Sequence, residues 1–296
     1  LLCIVYFYAG LAKLNSDLLI HAMPLKIWLP SKYDVPVIGD LLQETWAIYG
    51  FSWAGALYDL SIPFLLLYKP TRLTAFGLVI VFHALTRVLF PIGMFPYIMI
   101  VSATIFFDPS IHKKVLDYLT RKLHLSKWKA EFNTRYRLTN LGRKITSAVL
   151  TLFFASQLFI PFRHLAYPGE LFWTEEGFRF SWRVMLIEKA GYTSFKVKNS
   201  KTQESFIIDN TDFISSFQEK QMSTQPDFIL EYAHYLASHF EQQHQSPFEV
   251  YVESYVALNG RRSELYIDPS INLADQQESF KHKTWILPFK DEIKGL

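Results

Sequence analysis

The sequence predicts an integral membrane multi-helix bundle followed by a soluble, strand-rich mixed α/β domain. Three observations predict it. Half of the 296 residues are hydrophobic, 17% are aromatic and only 19% are charged, which is too apolar for an ordinary soluble domain. Charge divides along the chain: residues 1–164 carry 17 Lys and Arg against 8 Asp and Glu, whereas 165–296 carry 13 against 19, so a formal net charge of +3 conceals a basic half and an acidic half. Apolar runs of membrane-crossing length recur in the basic half. The boundary is therefore placed at 164, with a transmembrane helical domain over 1–164 and an extracytoplasmic domain over 165–296.

The first run covers 1–18 and carries Lys13 near its end. The chain opens without Met inside this apolar run, so it is expected to be an N-terminally truncated fragment. A loop over 19–50 follows, rich in Pro and aromatic residues and poor in charge, as in a segment lying at a membrane interface. Spans are then expected at 51–68, with Asp59 and Pro63 inside it, at 73–90, and at 92–107, which contains Gly93 and Pro96. The 108–144 loop holds ten Lys and Arg against three acids, which places it in the cytoplasm, and its Val115, Leu116, Leu119, Leu123 and Leu125 suggest amphipathic helices on the membrane surface. A last span at 145–160 carries the acidic half to the outer, periplasmic or lumenal, face. Counting back two spans from the basic loop returns to Lys69 and Arg72 on the same side, in agreement with this multi-pass orientation.

In the acidic half, strands are expected at 193–198, 205–209 and 248–258. A helix is expected at 226–242 with Phe228, Tyr232, Tyr235 and Leu236 on one face, and a hairpin at Asn259-Gly260 leading into 263–267. There is no Walker loop, dinucleotide glycine pattern, zinc spacing or nucleophile elbow. No basic stripe with interleaved aromatics points to nucleic acid. Cys3 is the single cysteine, so no disulfide forms within the chain.

Polar residues in the apolar half carry the functional argument. An ammonium in hydrocarbon costs roughly 2.5–3.5 kcal/mol on insertion scales, so Lys13 is either a lysine snorkelling at a helix end or a functional group. His83 and Arg87 are i and i+4 on one helix, with Thr86 close to that face. The orientation puts all of them with Lys13 in the outer half of the membrane, where a proton-handling or anion-binding cavity is expected; the plainer alternatives are a packed histidine and a snorkelling arginine.

Four blocks resemble a known family: Tyr6-Phe-x-Ala-Gly-Leu-x-Lys-Leu-x-x-Asp17; Phe82-His83 with Phe90, Ile92-Gly-Met-Phe95 and Tyr97; Trp173-Thr-Glu-Glu-Gly-Phe-Arg-Phe-Ser-Trp182; and Tyr255-Val-Ala-Leu-Asn259 with Ile267-Asp-Pro269. They are similar to vitamin K-dependent γ-glutamyl carboxylase and its bacterial relatives with the HTTM membrane domain, over most of the chain. The resemblance implies a carbon–carbon lyase that couples epoxidation of reduced vitamin K by O2 to carboxylation, by CO2, of a glutamate-containing peptide or protein in a lipid bilayer. It implies no metal. Lys13 stands where the family has its initiating general base; Phe178, Ser181 and Trp182 stand in its glutamyl-binding stretch; His83, with Thr86 and Arg87, is assigned a quinone-pocket or supporting role. Without the resemblance, Phe178, Phe180 and Trp182 read equally as core residues of a strand. The family's functional histidine lies upstream of the lysine helix, in a region that this sequence does not include, so the site is expected to be incomplete in this chain; the vertebrate cysteine bridge has no pair of cysteines here to form it, and Phe stands at an expected Tyr. Two other readings stay open: a quinone-dependent membrane oxidoreductase or epoxidase without glutamyl carboxylation, and a non-catalytic HTTM membrane protein.

Overall fold

The structure is a computed structural model, and it describes residues 1–123 and 138–295. Part of the basic loop, with Leu125, Lys127, Lys129, Arg135 and Arg137, lies outside the described residues. In chain order the helices are α1 (Leu2–Ala12), α2 (Ser16–Leu19), α3 (Leu25–Trp28), α4 (Thr45–Leu67), α5 (Arg72–Leu89), α6 (Phe95–Ala103), α7 (Pro109–Lys122), α8 (Asn140–Phe159), α9 (Leu171–Thr174), α10 (Ser216–Met222) and α11 (Pro226–His244). The strands are β1 (Lys189–Asn199), β2 (Ser205–Ile207), β3 (Phe248–Leu258) and β4 (Glu264–Leu265). The chain divides into two compact units, one of residues 1–10 and 55–159, the other of 11–54 and 160–295.

The first unit is helical. Tyr6, Ile62, Leu66, Ala75, Val79, Met99 and Ala103 form its core. Gly10 explains why α1 and α4 approach so closely: a Cβ there would meet Leu60 N and Cγ at 2.8 Å. Among the described residues three helical stretches are long and apolar enough to cross a membrane: Thr45–Leu67, Arg72–Leu89, and α8 with its 3-10 continuation, Asn140–Ala166. The other two expected spans are shorter helical stretches, Leu2–Ala12 and Phe95–Phe106. Gly93 takes a positive φ of 59° and Pro96 sits in the first turn of α6, which delays that helix to Phe95. Many apolar side chains point outward, among them Val81, Val88, Val101, Ile105 and Leu152. On α7, capped by the Asp108 carboxylate, Val115, Leu116 and Leu119 are exposed.

The second unit is built on an antiparallel sheet of order β2-β1-β3-β4. Alternation along β3 buries Phe248, Val250, Val252, Ser254, Val256 and Leu258; across from them Phe195 pairs with Val252 and Val197 with Val250. Helix α11 covers this face with Ile229, Leu230, Tyr232, Ala233, Leu236, Ala237 and Phe240. Of the expected helix face, Tyr232 and Leu236 are buried against the sheet, whereas Phe228 and Tyr235 lie at its edge and are exposed. The strand expected over 205–209 stops at Ile207, since the Asp209 side chain turns to cap Thr211 N. The Asn259-Gly260 turn is present, with φ of 47° and 76°, but its second strand pairs only at Glu264 and Leu265 before Ile267 leaves to bridge Ile286.

Candidate functional site

Lys13 sits in the turn between α1 and α2, half-buried, in the second unit. The turn has a local cause. Asn15 takes extended backbone, accepts from Leu18 N at 2.9 Å to cap α2, and donates from Nδ2 to Ala12 O at 2.8 Å. Its own N–H donates to Lys13 O at 2.9 Å. Four residues beyond the lysine, the buried Asp17 carboxylate receives both Nη atoms of Arg261, at 2.7 and 2.8 Å, and Asn259 Nδ2 at 2.8 Å. Sequence reasoning read Asn259 as a hairpin-turn and motif residue only and assigned nothing to Arg261; the signal for both was the polar Asn-Gly-Arg run closing a hairpin.

Phe178, Ser181 and Trp182 lie together on a loop of the same unit, not on a strand. Five residues of that loop take positive φ: Glu175 (59°), Gly177 (77°), Phe180 (72°), Trp182 (57°) and Met185 (59°). For the non-glycine ones this conformation costs on the order of 1–3 kcal/mol each and persists only where surroundings enforce it. The surroundings do so here. Ser181 Oγ donates to Phe178 O at 2.5 Å, Phe178 packs on the domain core, and Gly177 lies so near His164 that a Cβ would come within 2.7 Å of its Cα. At the start of the loop Lys189 Nζ, almost fully buried, donates to Glu175 Oε1 at 2.7 Å and to Trp173 O at 2.9 Å. Burial pushes the Lys189 pKa down, opposed by the Glu175 carboxylate.

The loop borders a cleft of about 480 Å³ lined by Phe178, Arg183, Met185, Lys189 and Lys220 among others. Arg183 Nη2 donates to His164 Nε2 at 3.1 Å; that nitrogen is therefore the acceptor, and His164 Nδ1–H donates to Pro161 O at 2.9 Å. Trp182 Nε1 and Arg183 Nε are buried donors with no hydrogen-bond partner among the described residues. Glu170 caps α9 at Phe172 N, and burial raises its pKa against the pull of its backbone donors.

His83, Thr86 and Arg87 belong to the helical unit. His83 is buried among Tyr6, Tyr58, Phe82 and Phe95, and its Nε2 shares a 2.8 Å hydrogen bond with Tyr6 Oη, while its Nδ1 has no partner among the described residues. Thr86 Oγ1 is spent on His83 O of its own helix, and Arg87 is exposed. The aromatic cage around His83, Tyr58 included, was not read from the sequence as a cage, although Tyr6 of the first block and Phe82 and Phe95 of the second belong to it. Among the described residues no cluster of three or more His, Cys, Asp or Glu side chains is placed to hold a metal ion.

The chain thus has a helical N-terminal region with three candidate apolar spans among the described residues, followed by a domain with a small antiparallel sheet. Residues 1–110 match the HTTM domain, a membrane domain, and residues 142–292 match the lumenal domain of vitamin K-dependent gamma-carboxylase. The chain belongs to the vitamin K-dependent gamma-carboxylase family. No solved structure matches it.

Proposed function

We propose that the protein carboxylates glutamyl residues of a peptide or protein in a vitamin K-dependent reaction coupled to quinone epoxidation, with Lys13 as the initiating general base. The observation that carries this reading is the pair of family matches, which together take in the Lys13 turn and the Phe178–Trp182 loop. A glutamyl γ-C–H is too weak an acid for any side chain, and the reduced quinone, when bound, supplies with O2 the stronger base that the step requires. The protein's own share is to bind, to orient and to move one proton. Lys13 accepts that first proton at Nζ, from a turn whose backbone is held by Asn15. Support for the quinone comes from the His83 cage: aromatic faces with one unpartnered ring nitrogen fit a flat aromatic ring bearing an oxygen substituent. The Phe178–Trp182 loop takes the glutamyl side chain beside a cleft of mixed charge, in which Arg183 and Lys220 are the cations open to a carboxylate and Lys189 is already paired with Glu175.

The outward apolar side chains of the helical unit favour a multi-pass membrane domain, and the charge division favours a sheet domain on the periplasmic or lumenal face. The decisive experiment supplies reduced vitamin K, O2 and labelled CO2 to the full-length protein with a glutamyl peptide. Label is expected in the peptide and is expected to vanish in Lys13→Ala. Epoxide without fixed carbon would replace this reading with that of a quinone-dependent epoxidase, and neither product would leave a non-catalytic membrane protein.

A further inference from the structure

We infer that Asp17, Asn259 and Arg261 are positioning residues that hold the Lys13 turn and the Phe178–Trp182 loop in a single register; this rests on the reading of Lys13 as the initiating base. The geometry starts at Asn259. Its buried amide donates from Nδ2 to Asp17 Oδ2 at 2.8 Å and to Leu186 O at 3.1 Å, while its Oδ1 accepts from Glu188 N at 2.8 Å. Asp17 lies four residues after Lys13, and Leu186 lies four residues after Trp182. One side chain thus ties the lysine turn to the exit of the strained loop. Its own backbone is fixed in the left-handed region by the hairpin turn.

Arg261 locks the arrangement. Its Nη atoms take both oxygens of Asp17, and its Nε donates to Asp291 at 2.7 Å, so the guanidinium fork has one planar solution. A buried ion pair is a poor device for stability, because desolvation consumes most of its attraction. A fully satisfied polar network is a good device for specifying one arrangement of two segments. The carboxylate is spent on the hairpin residues Asn259 and Arg261, and Asn259 carries the link on to the segment after the Phe178–Trp182 loop through Leu186 O and Glu188 N. A shift of about 1 Å between a base and the centre it serves costs on the order of 100-fold in rate.

The test uses the full-length protein and measures, side by side, epoxide formed, labelled CO2 fixed in a glutamyl peptide, and thermal unfolding. Arg261→Lys keeps the charge and loses the fork; Asp17→Asn keeps the shape and loses the charge; Asn259→Ser removes the three-way amide. Folded variants are expected to fix carbon at least tenfold more slowly per epoxide formed, with the KM for peptide changed less than kcat. Rates and their ratio within twofold of the parent overturn the inference, and so does failure of all three variants to fold, which would make the clamp purely structural. Lys13→Ala separates the two levels. If it keeps epoxide formation, the base reading falls whatever the clamp does; if it is inactive while the clamp variants stay coupled, only the register inference falls.

Discussion

Lys189 Nζ lies 2.7 Å from Glu175 Oε1, with the lysine 4% and the glutamate 22% exposed, and Glu175 is the first left-handed residue of the strained loop. Removing one partner of a buried pair costs about 3–5 kcal/mol. Lys189→Met leaves a carboxylate that can still reach water, so the lower end, about 3 kcal/mol, is expected. In Glu175→Ala the more deeply buried ammonium keeps only the neutral acceptors Trp173 O and Tyr266 Oη and loses its counter-charge, so the larger loss, about 4–5 kcal/mol, is expected. Chemical denaturation of both variants checks the order.

Glu170 gives a pH signature. Its folded pKa is raised by burial, so between the ordinary glutamate value of about 4.3 and the higher folded value the native state binds a proton that the unfolded state has lost. Stability from this group is fully present below that window and is lost as pH rises through it. Glu170→Gln keeps an acceptor for Phe172 N and does not titrate. The variant is expected to match the parent near pH 4 and to melt higher at pH 7; equal profiles would refute the assignment.

Gly10 of α1 lies directly against the backbone of α4. A methyl group there meets backbone at 2.8 Å (Leu60 N) and 3.0 Å (Asp59 C), neither of which is a flexible side-chain end. Gly10→Ala is expected to destabilise the helical unit by about 1–3 kcal/mol, the usual cost of overpacking. Thermal unfolding in detergent measures it.

Ser181 closes its loop on Phe178 O, and a hydrogen bond of this kind contributes about 0.5–1.5 kcal/mol. Ser181→Ala is expected to raise the KM for a glutamyl peptide roughly 2- to 10-fold by loosening Phe178 and Trp182, with epoxide formation at saturating peptide within about twofold. An unchanged peptide KM would remove this loop from the binding site.

Orientation is open to a fusion experiment. A reporter active only in an oxidising outer compartment, placed after Leu296, is expected to be active, and one placed after Lys69 silent. The reverse pattern would turn the charge argument over.

Local pattern was legible where a single period governs. The alternation from Phe248 to Leu258 is strict, and β3 begins and ends on those residues. Long-range polar geometry was not. Asp17 and Arg261 are 244 positions apart, and nothing in either neighbourhood names the other. Positive φ at Phe180 and Trp182 was equally hidden, because bulky residues avoid that region unless packing overrides preference; Gly177 alone announced a turn. The helix face of α11 was legible in part: Tyr232 and Leu236 are buried as expected, while the fit to β1 and β3 leaves Phe228 and Tyr235 outside.

Ser16 N donates to Lys294 O, and Lys294 N donates back to Ser16 Oγ, across a separation of 278 residues. On a ribosome adding roughly 5–20 residues per second, the lysine turn waits on the order of 15–60 s for these partners. Loop closure over such a distance is a late event in folding as well. The part of the chain made early therefore receives its final shape from a part made late, and a truncated translation product would carry Lys13 in an unfinished turn.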